Sequence, residues 1–345
     1  MRSIFDAQLV NEPFGDPGVY VDFRFERRAL LFDLGDNAVL PPRKLLRLSH
    51  VFVSHTHMDH FIGFDRLVRI CVGRHAALAM FGPPAFIERV EHRLAAYTWD
   101  RVDRYDVSLV ITATEVDAAG ATRSARFDTR RGFEREPLPD GCIADGVIVD
   151  ERDFRVRCAL LDHRTPCLGF AIEEKTHVNV WKNRLTEMGF KTGPWLAELK
   201  RAALEGAPDD APIRVWWQEA HGVHEQIVPL AALKPALEFV RGQKLSYVTD
   251  VVFHAANYRR IVELVRDADL LFIESVFLDA DGAHAAQKQH LTALQAGTIA
   301  RAAGARSVVP FHFSPRYADR EAMLRAELER ALRGEAIPIA VAAHG

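Results

Sequence analysis

The sequence lacks any long hydrophobic run, since nowhere in its 345 residues do twenty apolar residues follow one another. A helix needs about twenty such residues to cross a bilayer, so we expect no membrane-spanning segment. The first residues, 1–6, also lack an apolar stretch followed by a small-residue cleavage site. Because secretory signals have that pattern, the sequence predicts a cytoplasmic protein.

Cysteines are few, and the net charge is not positive. The four cysteines (Cys71, Cys142, Cys158 and Cys167) form no CxxC pair, which argues against a structural zinc ribbon and favours reduced thiols. The formal net charge is −3, so the field of the whole molecule does not attract nucleic acid. Nucleic-acid binding would therefore require a local basic patch.

What the sequence does contain is a set of strand-like segments that each end at a His or an Asp. In layered α/β sheets, ligand sites lie outside the carboxyl ends of the strands. We therefore expect these polar residues to meet at one site. The segments are 51–54 before His55, 156–160 before His163, 245–249 before Asp250, and 307–311 before His312.

The segment His55-Thr56-His57-Met58-Asp59-His60 is the densest of these groups. His55 and His57 can face one metal ion, and Asp59 and His60, half a turn further on, can face a second. A histidine from elsewhere completes each ion and a carboxylate bridges the two. The predicted metal ligands are His55, His57, Asp59, His60, His163, Asp250 and His312.

This mixture of imidazole and carboxylate ligands favours two Zn²⁺ ions and also suits Mn²⁺ or Fe. Two such ions can activate water and bind the oxygens of a phosphoryl or carbonyl group. The structural alternative is that the segment only caps a helix, with Asp59 at its N-terminus. Capping needs one such residue and does not account for the three histidines.

The segment 55–60 resembles the HxHxDH signature of the metallo-β-lactamase superfamily. Further segments, spread over most of the chain, resemble ribonuclease Z, the endonuclease that processes the 3′ ends of tRNA. These segments are 81–84 (FGPP), 162–170 (DHRTPCLGF), 193–200 (GPWLAELK), 290–292 (HLT) and 312–317 (HFSPRY).

The resemblance implies an α/β fold with four αββα layers, formed by a single domain over residues 1–345. It also implies an arm-like elaboration at about 174–242, containing part of the Gly-Pro arm that in the family grips the tRNA elbow. The other irregular part of the sequence, about 98–150, is likewise interpreted as an elaboration. The family further implies a tRNA precursor as partner and a homodimer.

For the chemistry, the resemblance implies that Asp59 also accepts a proton and that His290 helps to protonate the leaving group. General acid catalysis of this kind contributes roughly 10²–10⁴-fold in rate. Ser314 and Arg316 follow His312, and an Arg fork suits phosphate, so both are candidate substrate-binding residues. Alternatively, Arg316 caps a loop or pairs with Asp319.

The sequence departs from the family at several points. Thr249-Asp250-Val251 replaces the usual Gly-Asp-Thr, Met58 replaces a glycine, and His290-Leu291-Thr292 replaces His-Ser-Thr. These changes leave two alternatives to a tRNA endonuclease. One is a hydrolase of the same fold that acts on a small phosphodiester or another small ester. The other is a non-catalytic metal-binding module, against which the retention of all seven ligands and His290 argues.

Overall fold

The computed structural model describes residues 4–219 and 222–335, and contains 18 strands and 11 helices within those ranges. No helix in the described part of the chain is long and apolar enough to cross a membrane. The strands are β1 (Phe5–Leu9), β2 (Val19–Phe23), β3 (Ala29–Phe32), β4 (Leu48–Phe52), β5 (Ala77–Gly82), β6 (Val110–Val116), β7 (Ala121–Asp128), β8 (Arg135–Cys142), β9 (Val147–Asp150), β10 (Phe154–His163), β11 (Thr165–Glu174), β12 (His177–Val180), β13 (Pro212–Glu219), β14 (Gly222–Pro229), β15 (Leu237–Val240), β16 (Lys244–Val248), β17 (Leu270–Glu274) and β18 (Val308–Phe311).

The helices are α1 (Pro42–Leu45), α2 (Met58–Phe61), α3 (Phe64–Cys71), α4 (Phe86–Ala95), α5 (Lys182–Glu187), α6 (Leu196–Leu204), α7 (Leu230–Leu233), α8 (Ala255–Val265), α9 (Gly282–Lys288), α10 (Ala293–Ala302) and α11 (Glu321–Arg333). A short 3₁₀ helix covers Pro315–Tyr317.

Two large sheets form the centre of the molecule. The first has eight strands in sequence order, β1 to β8, and its central strands β3 to β6 are parallel. The second has six strands in the order β18-β17-β16-β11-β10-β9, with β16, β17 and β18 parallel. Parallel strands need crossover connections, and the helices supply them. The carboxyl ends of the parallel strands in each sheet therefore lie at one edge.

Three buried cores show how these layers stack. Between the two sheets, Phe32 and Phe52 of the first sheet pack with Phe170 and Tyr247 of the second. On its other face the first sheet packs against α3 and α4. The second sheet packs against α8, α10 and α11. This is the four-layer αββα arrangement, so the predicted fold class is confirmed.

The interpretation of residues 98–150 as an irregular elaboration is wrong. This segment supplies β6, β7 and β8, which extend the first sheet, and β9 at the edge of the second. In the second half of β7 the buried Ala125 and Phe127 alternate with the half-buried Arg126 and Asp128, and β8 is mostly exposed and contains Pro137 and Pro139. Proline is tolerated at sheet edges because no strand has to accept a hydrogen bond from its missing N–H. Because exposed residues and prolines are also typical of loops, the sequence of this segment did not indicate strands.

Residues 174–242 form a compact unit by the density of their internal contacts, separate from a unit made of 1–173 and 243–345. The smaller unit contains two two-stranded sheets, β12 with β15 and β13 with β14. Its own hydrophobic core includes Trp195, Leu199, Val215 and Trp217. The predicted arm-like elaboration at about 174–242 therefore has the same bounds as this unit.

Candidate metal centre

The segment 55–60 begins in the loop after β4 and runs into the short helix α2, which contains Asp59 and His60. Strand β4 buries Leu48, Val51 and Phe52, and just after its end the N–H of Val53 donates to the carbonyl oxygen of Phe81 at 2.8 Å. The chain then turns, and His57 is extended immediately before α2 begins at Met58. His55 and His60 are buried, whereas His57 is exposed.

Three residues at the site have left-handed backbones one or two residues after a strand ends. Asp33 follows β3 with φ 58°, Asp250 follows β16 with φ 48°, and His312 follows β18 with φ 59°. Non-glycine residues rarely adopt this conformation, and where it occurs it concentrates at functional sites. Each residue therefore has its backbone direction fixed by a sharp turn at a strand end.

One cluster contains His55, His57, His163 and Asp250, whose ligand atoms all lie within 4.8 Å of one another. Nε2 of His163 is 3.3 Å from Oδ2 of Asp250, and Nε2 of His55 is 3.6 Å from the same oxygen. Three imidazoles and one carboxylate at this spacing match a tetrahedral divalent-metal site in ligand type and number.

A second cluster contains Asp59, His60 and His312, again within 4.8 Å. Nε2 of His60 is 3.5 Å from Oδ2 of Asp59 and 3.4 Å from Oδ2 of Asp250. Nδ1 of His312 is 3.0 Å from Oδ1 of Asp250. Asp250 thus lies beside both clusters, in the place that a bridging carboxylate would take.

The residues present fit a divalent metal ion. Nε2 of His55, Nε2 of His60 and Nδ1 of His312 are buried atoms without a hydrogen-bond partner, although each lies within 3.6 Å of Asp250. Buried polar atoms are almost always satisfied, so unpaired nitrogens aimed at carboxylates need an explanation. A cation held among them would supply the missing partner.

In His60 and His163, the protein itself supplies a hydrogen-bond partner for Nδ1. His60 Nδ1 is 2.8 Å from Oδ2 of Asp33, and His163 Nδ1 is 2.8 Å from the carbonyl oxygen of Gln289. Metal-binding histidines commonly donate their second N–H in this way, which fixes the tautomer and the ring orientation. The arrangement therefore leaves Nε2 of each ring free to bind a metal.

Charge in the site is unevenly distributed. Burial lowers the pKa of His55 to about 2, with the nearby His60 adding to the effect. Burial alone would also lower the pKa of His60, but the Asp250 and Asp33 carboxylates raise it to about 10. Burial would raise the pKa of Asp250, yet the imidazoles of His312 and His60 hold it well below its usual range. Buried carboxylates this close require positive charge nearby.

His290 lies next to the clusters and is held by Glu274. Oε2 of Glu274 accepts from His290 Nδ1 at 2.8 Å, while Oε1 accepts from the backbone N–H groups of Val251 (2.9 Å) and Leu291 (3.2 Å). Nδ1 of His290 is 3.9 Å from Oδ1 of Asp250. Glu274 therefore fixes the loop that carries Asp250 and the loop that carries His290.

Ser314 and Arg316 are not brought into either cluster. The Ser314 hydroxyl accepts from the backbone N–H of Arg316 and caps the 3₁₀ helix Pro315–Tyr317. Arg316 Nη1 lies 3.5 Å from Oδ1 of Asp281. Both side chains therefore have local partners, and their role in substrate binding stays a prediction.

Asp33 is a functional candidate that the sequence analysis missed. For Glu274, the sequence alone leaves two interpretations open: an acceptor that orients a ligand histidine, or a surface carboxylate at a strand end. Both are buried and each ends a strand of aliphatic and aromatic residues (β3 and β17). The same signal identified Asp250 and could have identified these two. Neither is part of a dense motif, and their partners are distant in sequence.

No family model matches the chain. Among solved structures, the metallo-beta-lactamase fold protein YhfI from Bacillus subtilis aligns over 96% of this chain and 93% of its own, with a TM-score of 0.54 and 16% identity. The short form of human tRNase Z aligns over 90% and 93%, with a TM-score of 0.50 and 17% identity. At these identities the likeness is one of fold: the chain has the metallo-β-lactamase fold.

Curated relatives narrow this class further. Ribonuclease Z from Deinococcus radiodurans is 32% identical over 330 residues, which cover 94% of this chain and 95% of the relative. Ribonuclease Z from Treponema pallidum is 30% identical over 305 residues, which cover 86% and 81%. The chain belongs to the ribonuclease Z family. The predicted family is confirmed.

Proposed function

We propose that this chain is a metal-dependent endonuclease that hydrolyses an RNA phosphodiester near the 3′ end of a tRNA precursor. The observation that carries the proposal is the convergence of His and Asp side chains around Asp250, in a chain that is 32% identical to ribonuclease Z from Deinococcus radiodurans. The ligand types suit a pair of divalent ions, which would supply positive charge to a reaction at phosphorus.

We assign the ligands as two sets that share Asp250. One set is His55, His57 and His163, and the other is Asp59, His60 and His312. The mixture of nitrogen and oxygen donors favours zinc, and it also suits manganese or iron. Bound divalent ions would neutralise phosphate charge and make water a better nucleophile.

Asp59 is the proposed proton acceptor. Its side chain is 42% exposed, unlike the fully buried His60, so water can reach its carboxylate. Oδ2 of Asp59 lies 3.3 Å from Nε2 of His312, which orients the carboxylate at the edge of the second cluster. A general base has to be within hydrogen-bond reach of the proton that it takes, and the exposure of the Asp59 carboxylate supports this role because water can approach it.

His290 is the proposed proton donor to the leaving oxygen. Its Nδ1 is bound to Glu274, so Nε2 is the nitrogen available to a substrate. The side chain is 16% exposed, which leaves one edge of the ring accessible. Glu274 acts as a positioning residue for this imidazole.

The direct test is cleavage of a precursor tRNA with a 3′ trailer by the purified full-length protein, with Zn²⁺ or Mn²⁺ added. We expect a single cut at the 3′ end, and we expect Asp59→Asn to lose at least about 100-fold in rate. Asp106→Asn, an exposed position outside the clusters, should retain wild-type activity. Precursor that stays intact after prolonged incubation would contradict the proposal.

A second candidate is a hydrolase of a small phosphodiester. It is favoured by two ion pairs of basic residues on β7 and in the following turn: Arg123 with Glu115, and Arg131 with Glu136. Because these arginines are paired with acids, they offer less positive charge to an RNA backbone. Competition separates the two candidates. At low salt, tRNA should inhibit the hydrolysis of a chromogenic phosphodiester by an RNA-cleaving enzyme, and an absence of inhibition supports the small substrate.

The homodimer implied by the resemblance and the cytoplasmic location predicted from the N-terminal residues are part of the same proposal. Light scattering should give twice the chain mass of 38.8 kDa for a dimer. A mass equal to that of one chain would remove the dimer from the proposal without affecting the assigned chemistry.

A further inference from the structure

Beside the first cluster lies an open cavity of about 480 Å³ that the assigned roles do not use. Its lining includes His57 and His163 of that cluster and the two residues that follow His163, Arg164 and Thr165. The segment 287–289 completes the lining. Its volume lies within the roughly 300–1,000 Å³ that is usual for small-molecule sites, so it could hold a nucleotide-sized group.

The charge lining this cavity has one sign. Arg164 and Lys288 are both exposed, and within the described ranges 4–219 and 222–335 neither forms an ion pair. No carboxylate is among the lining residues, which otherwise offer the hydroxyl of Thr165 and side-chain amides from Gln287 and Gln289. All of these groups can donate hydrogen bonds, so the cavity suits an anion.

The backbone fixes both lining segments next to the cluster. Arg164 has φ 57°, and its N–H donates to Oδ1 of Asp162 at 3.1 Å. Gln289 has φ 65°, and its carbonyl oxygen accepts from His163 Nδ1 at 2.8 Å. Arg164 adjoins His163 in the chain, and Lys288 is two residues from His290. The backbones that carry the two cations therefore lie beside the cluster, and their exposed side chains can reach a ligand in the cavity.

We propose that Arg164 and Lys288 form a subsite that binds the backbone phosphate next to the scissile phosphodiester. This inference rests on the proposed function, because it names a contact of the same RNA strand. The planar guanidinium of Arg164 can bind two phosphate oxygens at once, and Lys288 adds a second, point-like charge. The subsite makes the enzyme prefer substrates with consecutive phosphates over those with one.

The test uses inhibition of bis(4-nitrophenyl) phosphate hydrolysis by metal-loaded full-length protein. The two inhibitors are adenosine 5′-monophosphate and adenosine 3′,5′-bisphosphate. In the wild type, the bisphosphate should bind about tenfold more tightly, as expected for an added phosphate that gains charge-assisted hydrogen bonds. In Arg164→Gln/Lys288→Gln this ratio should fall to about one to threefold.

The matched control is Arg69→Gln/Arg259→Gln. Both arginines are exposed on helices, α3 and α8, and lie outside the cavity lining, and the change in net charge is the same. The control should keep the wild-type ratio. The charge-conserving variant Arg164→Lys/Lys288→Arg should keep most of it. If the double variant fails to fold, the two single variants give the same measurement.

Two results would overturn the subsite: equal inhibition of the wild type by the two nucleotides, or a wild-type ratio in Arg164→Gln/Lys288→Gln. With RNA as substrate, the double variant should lower the slope of log KM against log salt by about one to two. A protein that discriminates between the nucleotides but leaves precursor tRNA intact supports the subsite and contradicts only the proposed RNA substrate.

Discussion

Oδ2 of Asp33 lies 2.8 Å from Nδ1 of His60, and both side chains are completely buried. The same carboxylate accepts from the backbone N–H of Ser54 at 2.6 Å and from the hydroxyl of Tyr247 at 2.7 Å. Asp33 thus joins the ends of β3 and β4 in the first sheet to β16 in the second. It fixes the orientation of a proposed metal ligand by contacts from both sheets.

Asp33→Asn should weaken metal binding while the fold is retained. The substitution removes the charge that holds Nδ1 of His60, and losses of roughly 10–100-fold in metal affinity are typical when such a partner is removed. Competition with a chromogenic chelator measures the affinity directly. Asp36→Asn, an exposed position three residues later, is the matched control. An affinity equal to that of the wild type in Asp33→Asn would show that Asp33 has only a structural role.

Glu274→Gln and His290→Ala should each lower the rate of phosphodiester hydrolysis by about 10²-fold or more, because both remove the positioned proton donor. The double variant should be no slower than the worse single variant, since residues that act as a unit have non-additive effects. Bound metal, measured by elemental analysis, should stay at the wild-type level. Additive losses in rate would show that Glu274 and His290 act independently. A loss of bound metal in Glu274→Gln would show that Glu274 supports metal binding and does not only position His290.

Gly35→Ala should destabilise the protein and disturb Asp59. A Cβ at Gly35 would lie 2.6 Å from the carbonyl oxygens of both Asp59 and Pro17, which are backbone atoms that cannot move aside cheaply. Overpacking of this kind costs about 1–3 kcal/mol. Gly282→Ala is the control, because its Cβ would meet only Oδ1 of Asp279 at 4.0 Å. Urea unfolding of both variants gives the free energies, and equal values would contradict the expected clash.

Glu173 should contribute to stability in a pH-dependent way. Burial alone would raise its pKa, but Arg155 Nε, 2.7 Å away, and Lys244 Nζ, 3.1 Å away, lower it below 4.5. The folded state therefore binds the proton less readily than the unfolded chain. Its contribution is present above pH 4.5 and is lost as pH falls through the lower, folded-state pKa.

Glu173→Gln should accordingly be less stable than the wild type at pH 7, and it should lose less stability between pH 7 and acid. Glu88→Gln, an exposed position on α4, should follow the wild-type curve. The free energy of unfolding in urea at several pH values is the measurement. A parallel curve for Glu173→Gln would show that its ion pairs contribute nothing to the pH dependence.

The parts of the site that the sequence predicted are those with local signals. His55 to His60 form a dense motif, His163 ends β10, and Asp250 and His312 lie just after β16 and β18. The αββα class follows from the same pattern together with the family resemblance. In such segments the local residue types and the tertiary environment agree, which is why the prediction of the fold succeeded.

The parts that could not be predicted depend on contacts between distant residues. The roles of Asp33 and Glu274 depend on partners such as Tyr247 and His290. A position at a strand end could have marked the two carboxylates as candidates, but the sequence does not show which residues they contact. The strands within 98–150 were missed because β7 and β8 are half or mostly exposed. Their polar residues face solvent, and their sheet position depends on neighbouring strands and not on local preference.

The clusters around Asp250 are proposed to bind two divalent ions. Elemental analysis of protein purified with Zn²⁺ and then dialysed measures this directly, with wild type and Asp250→Ala compared side by side. We expect about two ions for each wild-type chain and a marked loss in Asp250→Ala, in which both clusters lose a shared ligand. Wild-type protein that retains no metal, or an Asp250→Ala variant that keeps the full amount, would contradict the proposal.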